Sequence, residues 1–188
     1  MRKLQDANGE VDFPMWYYTV QPNRWTFQST KIKDWVELWL EGRVLNACAG
    51  KTKLDHDGEM IRNDVDTDRE ADIHVDVNEI AGHFEANSFD TIIFDPPFSD
   101  HQASETYDST DPVQESAAIN QFDQLLKPGG KVVKMGFSTT CMPGAKDYER
   151  KGVAIFNTLG RMDDWLGVVD QRMSHDLRSY EVTEVVKE

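Results

Sequence analysis

Asp90-Thr91-Ile92-Ile93-Phe94-Asp95-Pro96-Pro97-Phe98 is the stretch on which the reading of this chain turns. The four apolar or β-branched residues from Thr91 to Phe94 predict a short strand buried on both faces. The run stops on a carboxylate followed by two prolines. Proline has no N–H to give to a ladder, so the strand ends there and the chain leaves it as a rigid, extended turn. A carboxylate, the carbonyl of an N–H-free peptide unit and an aromatic ring are displayed together at the carboxyl end of a strand. In open α/β sheets that end is where ligands bind.

Working outward, Val44-Leu45-Asn46-Ala47-Cys48-Ala49-Gly50-Lys51-Thr52 reads as a short apolar strand entering a small-residue turn. Gly50 in that turn allows close approach of backbone to a ligand. Asp64 ends a second strand-like run that starts at Met60, and Ile73-His74-Val75-Asp76-Val77 predicts a third. Acids thus close three successive runs, at Asp64, Asp76 and Asp95. Residues 79–84 predict a short helix. Beyond Phe98, residues 99–115 are polar and acidic, a surface loop or a substrate lid. Ser116 offers a cap for a helix carrying Ile119, Phe122, Leu125 and Leu126, and Lys127-Pro128-Gly129-Gly130 ends it before a fifth strand over residues 131–136.

Upstream, Ser29 precedes a helical stripe of Ile32, Trp35, Val36, Trp39 and Leu40, with Gly42 placed to end it. Trp16-Tyr17-Tyr18 reads as an edge strand or a base-stacking platform. Downstream, the spacing predicts a helix over 153–162. Two strands follow, 166–172 and 180–186, as an antiparallel hairpin closing the sheet. The expected organisation is an N-terminal extension over 1–28 and a single domain over 29–188, with no separate second domain.

The bulk properties narrow the class. A chain of 188 residues supports one sizeable core, and no stretch approaches the length of a membrane span. Met1 to Asp6 lacks an apolar secretory segment, and Cys48 and Cys141 make neither a disulfide framework nor a metal spacing. The histidines show no metal spacing either, so no metal is expected and the reading is cytoplasmic. The formal net charge is −14. Between Asp55 and Glu115 there are 18 acids against Arg62 and Arg69, whereas residues 127–151 hold six Lys/Arg against Asp147 and Glu149. Such acidity opposes non-specific binding to phosphate, unless high salt screens it. The basic tract is the best local candidate for touching phosphate.

Asp95-Pro96-Pro97-Phe98 resembles the Asp/Asn/Ser-Pro-Pro-Tyr/Phe signature of S-adenosylmethionine-dependent methyltransferases that modify exocyclic amino groups of nucleic-acid bases. The run through Gly50 resembles that family's first motif, with Asn46 in place of the usual acid and Thr52 in place of the last glycine. The helix, Leu126-Lys127-Pro128-Gly129-Gly130 and the strand after it are also common in the superfamily. The resemblance spans residues 43–137. It implies an α/β fold: a Rossmann-like, seven-stranded, mostly parallel sheet with an antiparallel C-terminal hairpin and helices on both faces. Asp95, Pro96 and Phe98 would be catalytic. Thr26, Phe27, Asn46, Ala47, Gly50, Asp64, Val65, Asp76 and Val77 would bind S-adenosylmethionine. Adenine N6 or cytosine N4 of DNA is the first expectation for the target, and RNA the second. A protein partner would supply target recognition. Two alternatives stand beside this reading. One is a non-catalytic subunit that keeps the fold. The other is a phosphate-loop protein using Gly50-Lys51-Thr52, which lacks the glycine expected at Leu45.

Overall fold

A computed structural model of the chain describes residues 5–6, 9–10, 13–21, 23, 25–97 and 114–174. Strands β1 (Gln5–Asp6) and β2 (Gly9–Glu10) form a small antiparallel pair. The main sheet contains β3 (Met15–Thr19), β4 (Val44–Asn46), β5 (Met60–Arg62), β6 (Phe89–Phe94), β7 (Leu126–Gly136), β8 (Tyr148–Asn157) and β9 (Trp165–Arg172). Their order across the sheet is β3-β8-β9-β7-β6-β4-β5. Only β9 runs antiparallel to its neighbours in this sheet. The chain moves from β4 outward to β5 and then back across to β6, so the strand order reverses between β4 and β6. A crevice at such a reversal is the general ligand site of open parallel sheets.

Alternation along the strands divides the core into two layers. On one face α1 (Thr30–Glu37) sets Ile32, Trp35 and Val36 against Val44, Ile93, Val133, Ala154, Phe156 and Val169. On the other, α2 (Glu115–Leu125) sets Ala118, Phe122 and Leu125 against Leu45, Ile92, Phe94, Val132 and Val168. Thr91 to Phe94 are wholly buried, as expected for the strand that enters the Asp-Pro-Pro turn.

Several local expectations are corrected. Residues 153–157 belong to strand β8 instead of a helix: Val153, Ala154 and Phe156 are buried in a strand covered on both sides, where helical and strand runs look alike in sequence. The antiparallel hairpin is therefore β8–β9, and residues 180–186 lie outside the described residues. The third strand is reduced to one bridge, Ile73 with Asn63. The seventh strand is instead β3 at the opposite edge, carrying Trp16-Tyr17-Tyr18 parallel to β8. Residues 79–84 make only a 3-10 turn, Ile80–His83. α2 begins at Glu115 with Gln114 in the cap position instead of Ser116. Helix α1 stops at Glu37, while Gly42 (φ +58°) lies in the next turn, where a Cβ would sit 2.4 Å from the Asp90 carboxylate.

Tight packing of α1 on the sheet needs a bare backbone beneath it. A Cβ on Gly167 would lie 2.3 Å from the ring of Trp35, which is 1% exposed and has nowhere to go. Gly82 meets nothing within 4 Å. We expect Gly167→Ala to cost about 1–3 kcal/mol of stability by overpacking. Gly82→Ala stays within about 0.5 kcal/mol. The difference is read from urea unfolding midpoints.

Candidate active site

The carboxyl ends of β4, β5 and β6 meet at the point where the strand order reverses. Asn46, the last residue of β4, pairs in register with Ile93 of β6, and Asp95 follows two residues later. By strand alternation Asn46, Ile93 and Asp95 share the face covered by α1. The 3-10 turn Thr26–Gln28, which leads into α1, brings Thr26 to this point. Its Oγ1 donates to Asp95 Oδ1 at 3.2 Å. Phe27 packs in the core of the same layer.

Asp95 is half-buried and Pro96 buried. Removal from water pushes the Asp95 carboxyl up to about 7, and the Thr26 hydroxyl opposes the rise. Cys48, in the turn after β4, senses three acids. Burial first, then repulsion by Asp95, Asp64 and Asp76, holds its thiol well above the ordinary range. The fields of all three acids therefore reach one turn. Phe98 lies outside the described residues.

Asn46 is the notable polar group here. Its side chain is fully buried, and neither the amide nitrogen nor the amide oxygen has a hydrogen-bond partner among the described residues. An unpaired amide in such a place is costly and calls for an explanation. A polar ligand at the switch point would satisfy it, so the residues present fit a cofactor bound beside β4.

The turn itself is held from β5. Gly50 has φ +56°, a conformation that favours glycine, and its N–H donates to Asp64 Oδ2 at 2.8 Å. Asp64 Oδ1 accepts the N–H of Asp66 at 3.0 Å. Burial raises the Asp64 carboxyl from its ordinary value against these two bonds. Arg62 Nη2 donates to the Gly50 carbonyl at 3.0 Å, and the Trp25 ring lies over Gly50 with Arg69 at 5.2 Å and Lys51 at 5.6 Å from its centroid. With the Ala49 and Gly50 N–H groups committed to Asn63 O and Asp64, and no helix after Lys51-Thr52, the turn lacks the open nest of amides that a phosphate loop requires.

Of the other expected cofactor residues, Ala47 and Val77 are buried in the core, Val65 is exposed, and Asp76 is exposed with Oδ1 accepting the Asn78 N–H at 2.8 Å. Asn63 is a residue the sequence reading missed. Its Nδ2 donates to Ala47 O at 2.9 Å and to Val75 O at 3.0 Å, while its Oδ1 accepts the Val75 N–H at 3.0 Å. A polar residue beside Asp64 in an acidic region carries no signal of such a role.

The basic tract is spoken for. Lys127 pairs with Asp90, Lys131 with Glu41, Lys134 with Glu115, Lys146 with Asp123, Arg150 with Asp170 and Lys151 with Glu149. All six of its cations face carboxylates, so it is not the free phosphate-contacting surface that its composition suggests.

No protein-family model and no curated protein sequence matches the chain. Solved structures do. TrmN from Thermus thermophilus superposes with a TM-score of 0.58 at 14% identity, over 77% of this chain and 49% of that one. The chain has a Rossmann-like methyltransferase fold. It spans about half the length of TrmN. A putative rRNA methylase from Clostridium thermocellum gives a TM-score of 0.50 at 11% identity, over 76% of this chain and 96% of that one. The [4+2]-cyclase SpnF gives 0.53 at 12% identity, over 84% and 87%. A fold shared with a cyclase leaves the chemistry to be argued from the site.

Two outcomes follow from this geometry. Asn63→Ala strips partners from one buried and two partly buried backbone groups and is expected to cost about 2–4 kcal/mol in chemical unfolding. Asp95→Asn has the opposite sign. A carboxyl whose folded pKa is raised destabilises the native state progressively from about pH 4 to its folded value near 7, and fully above it. The variant should therefore match the wild type below pH 4 and exceed it by on the order of 2–4 kcal/mol at pH 8. Thermal unfolding across that pH range reads the difference.

Proposed function

We propose that the chain is an S-adenosylmethionine-dependent methyltransferase acting on an exocyclic amino nitrogen of a nucleic-acid base. The observation that carries this reading is the proline-locked carboxylate Asp95 at the strand-order reversal, beside the unpartnered amide of Asn46. An aryl amine is a poor nucleophile because its lone pair is delocalised into the ring. Asp95 and the Pro96 carbonyl offer two acceptors for its hydrogens. Gripping both favours a more tetrahedral nitrogen, orients the lone pair, and stabilises the positive charge that develops on it. Phe98 would supply the flat surface on which the base stacks.

Asn46, the Gly50 turn and the acids Asp64 and Asp76 would hold the cofactor, which when bound supplies an electrophilic methyl group. The resemblance of Asp95-Pro96-Pro97-Phe98 and the fold shared with TrmN and the putative rRNA methylase support this reading. Adenine N6 and cytosine N4 remain the targets of choice. With its basic tract neutralised internally, the chain draws little affinity from phosphate there, which favours a partner or structured target that presents the base.

The test is transfer of labelled methyl from S-adenosylmethionine to total DNA and total RNA, at low and high salt. Wild type should label nucleic acid, and Asp95→Ala should label it about 100-fold less or weaker still. Equal labelling by both would remove Asp95 from the mechanism. No thermal shift with S-adenosylmethionine and no transfer to either nucleic acid would mark a non-catalytic subunit.

A further inference from the structure

We propose that Thr26 is a positioning residue for Asp95, tying down Oδ1 so that Oδ2 and the Pro96 carbonyl are left as the acceptor pair for an incoming amine. The inference rests on the methyl-transfer reading for its purpose, but its physical content is a contact between two elements 69 residues apart in sequence.

The Thr26 side chain is nearly buried, and its hydroxyl donates to Asp95 Oδ1 at 3.2 Å. Its backbone is fixed from both sides. Gln28 N donates to Trp25 O at 3.0 Å, Ser29 N donates to Thr26 O at 3.3 Å, and Ser29 O then accepts the first amides of α1, from Ile32 and Lys33. Phe27, 4% exposed, anchors the same turn in the α1 layer. A β-branched side chain is restricted at χ1, so few orientations of the hydroxyl compete with the one that meets Asp95. A carboxylate free to spin about its χ2 would present either oxygen, in any plane. One that already accepts a hydrogen bond on Oδ1 presents Oδ2 in a defined direction.

The electrostatic surroundings make this contact matter. From the β4 turn the titratable neighbour is the Cys48 thiol, which burial and the fields of Asp95, Asp64 and Asp76 keep neutral. On the neighbouring strand β7, Lys134 is turned to Glu115 and the Thr140 carbonyl. From the α1 side the polar contact is Thr26. No cation among these bonds Asp95, so the hydroxyl is the group that stabilises its ionised, accepting form against desolvation. A protonated Asp95 would offer one acceptor fewer to an amine.

The experiment titrates Asp95 directly, by carboxyl-carbon NMR on protein labelled at aspartate, with Asp95→Asn to assign the resonance. Wild type should titrate at about 7. Thr26→Val, which keeps shape and removes the donor, should move that midpoint up by about 1–2 pH units. Thr26→Ser should restore it. Thr26→Ala is measured alongside, so that failure of the valine variant to fold does not close the test. The acid limb of kcat for methyl transfer should move with the NMR midpoint. Titration of Asp95 at one pH in wild type, Thr26→Val and Thr26→Ala would overturn the proposal. Absence of methyl transfer by wild type would sink the function reading, while the NMR midpoints would still decide the contact.

Discussion

The side-chain amide of Asn63 holds this sheet edge together. The segments on either side of β5, residues 47–59 and 63–79, carry no α-helix. Backbone groups there cannot be satisfied inside a helix, yet they sit against a buried strand end and need partners. Asn63 supplies three of them, bridging Ala47 and Val75, and its own peptide groups pair with Asn46 and Ala49. Asp72 accepts the Arg62 N–H at 2.7 Å, and Arg62 reaches back to Gly50. The Gly50 turn thus has a shape set by side chains. Its amides are spent on that shape, which leaves it suited to close backbone approach by a ligand and unsuited to cradling a phosphate.

Charge in this molecule is organised along the same lines. A net charge of −14 suggests an acidic surface with a basic stripe, but the stripe is a set of struts. Lys134 is the extreme case. It is 1% exposed, and its ammonium is held between Glu115 and the Thr140 carbonyl at 2.8 Å. An ammonium so far from water needs paired and hydrogen-bonded company, and breaking such a pair by removing one partner is far costlier than any surface bridge. The pair fixes the start of α2 to the carboxyl end of β7, next to Phe94 and hence to the entrance of the Asp-Pro-Pro turn. Recognition of a base at that turn would depend on hydrogen bonding and stacking more than on attraction to the backbone.

What was legible in the sequence was what local chemistry dictates. Four apolar residues closed by Asp-Pro-Pro can hardly be anything but a buried strand ending in a rigid turn. A small-residue run with Gly50 after Val44-Leu45 marks the neighbouring strand end in the same way. The helix over 115–125 carries its own stop signal, but strand β7 starts at Leu126 and takes in Lys127-Pro128-Gly129-Gly130, with a bulge against β6, where a turn before residue 131 is expected. Elements whose identity depends on what covers them were not legible. The run Val153-Ala154-Ile155-Phe156 in β8 is apolar because layers cover it on both sides, and such a run has the look of a helix face. The expected third strand gave up its ladder because Asn63 already satisfies Val75 through its side chain. The Thr26–Asp95 contact and five of the six ion pairs of the basic tract (all but Lys151–Glu149) join residues far apart in sequence, and no spacing within a window reports them.

The fold alone does not select a reaction, since the same architecture superposes on a putative rRNA methylase and on a cyclase. The selection comes from two polar groups whose condition works against folding. Asp95 is kept largely from water with a hydroxyl as its hydrogen-bonding support, which makes its charge expensive near neutral pH. Asn46 is buried with both ends of its amide unpaired among the described residues. An apolar residue at either position would have packed at less cost. Both groups face the α1 layer, where the strand order reverses between β4 and β6. A carboxylate poised near neutrality beside an amide with free donors and acceptors is a poor structural arrangement. It is a good one for receiving an amine on one side and a polar cofactor on the other.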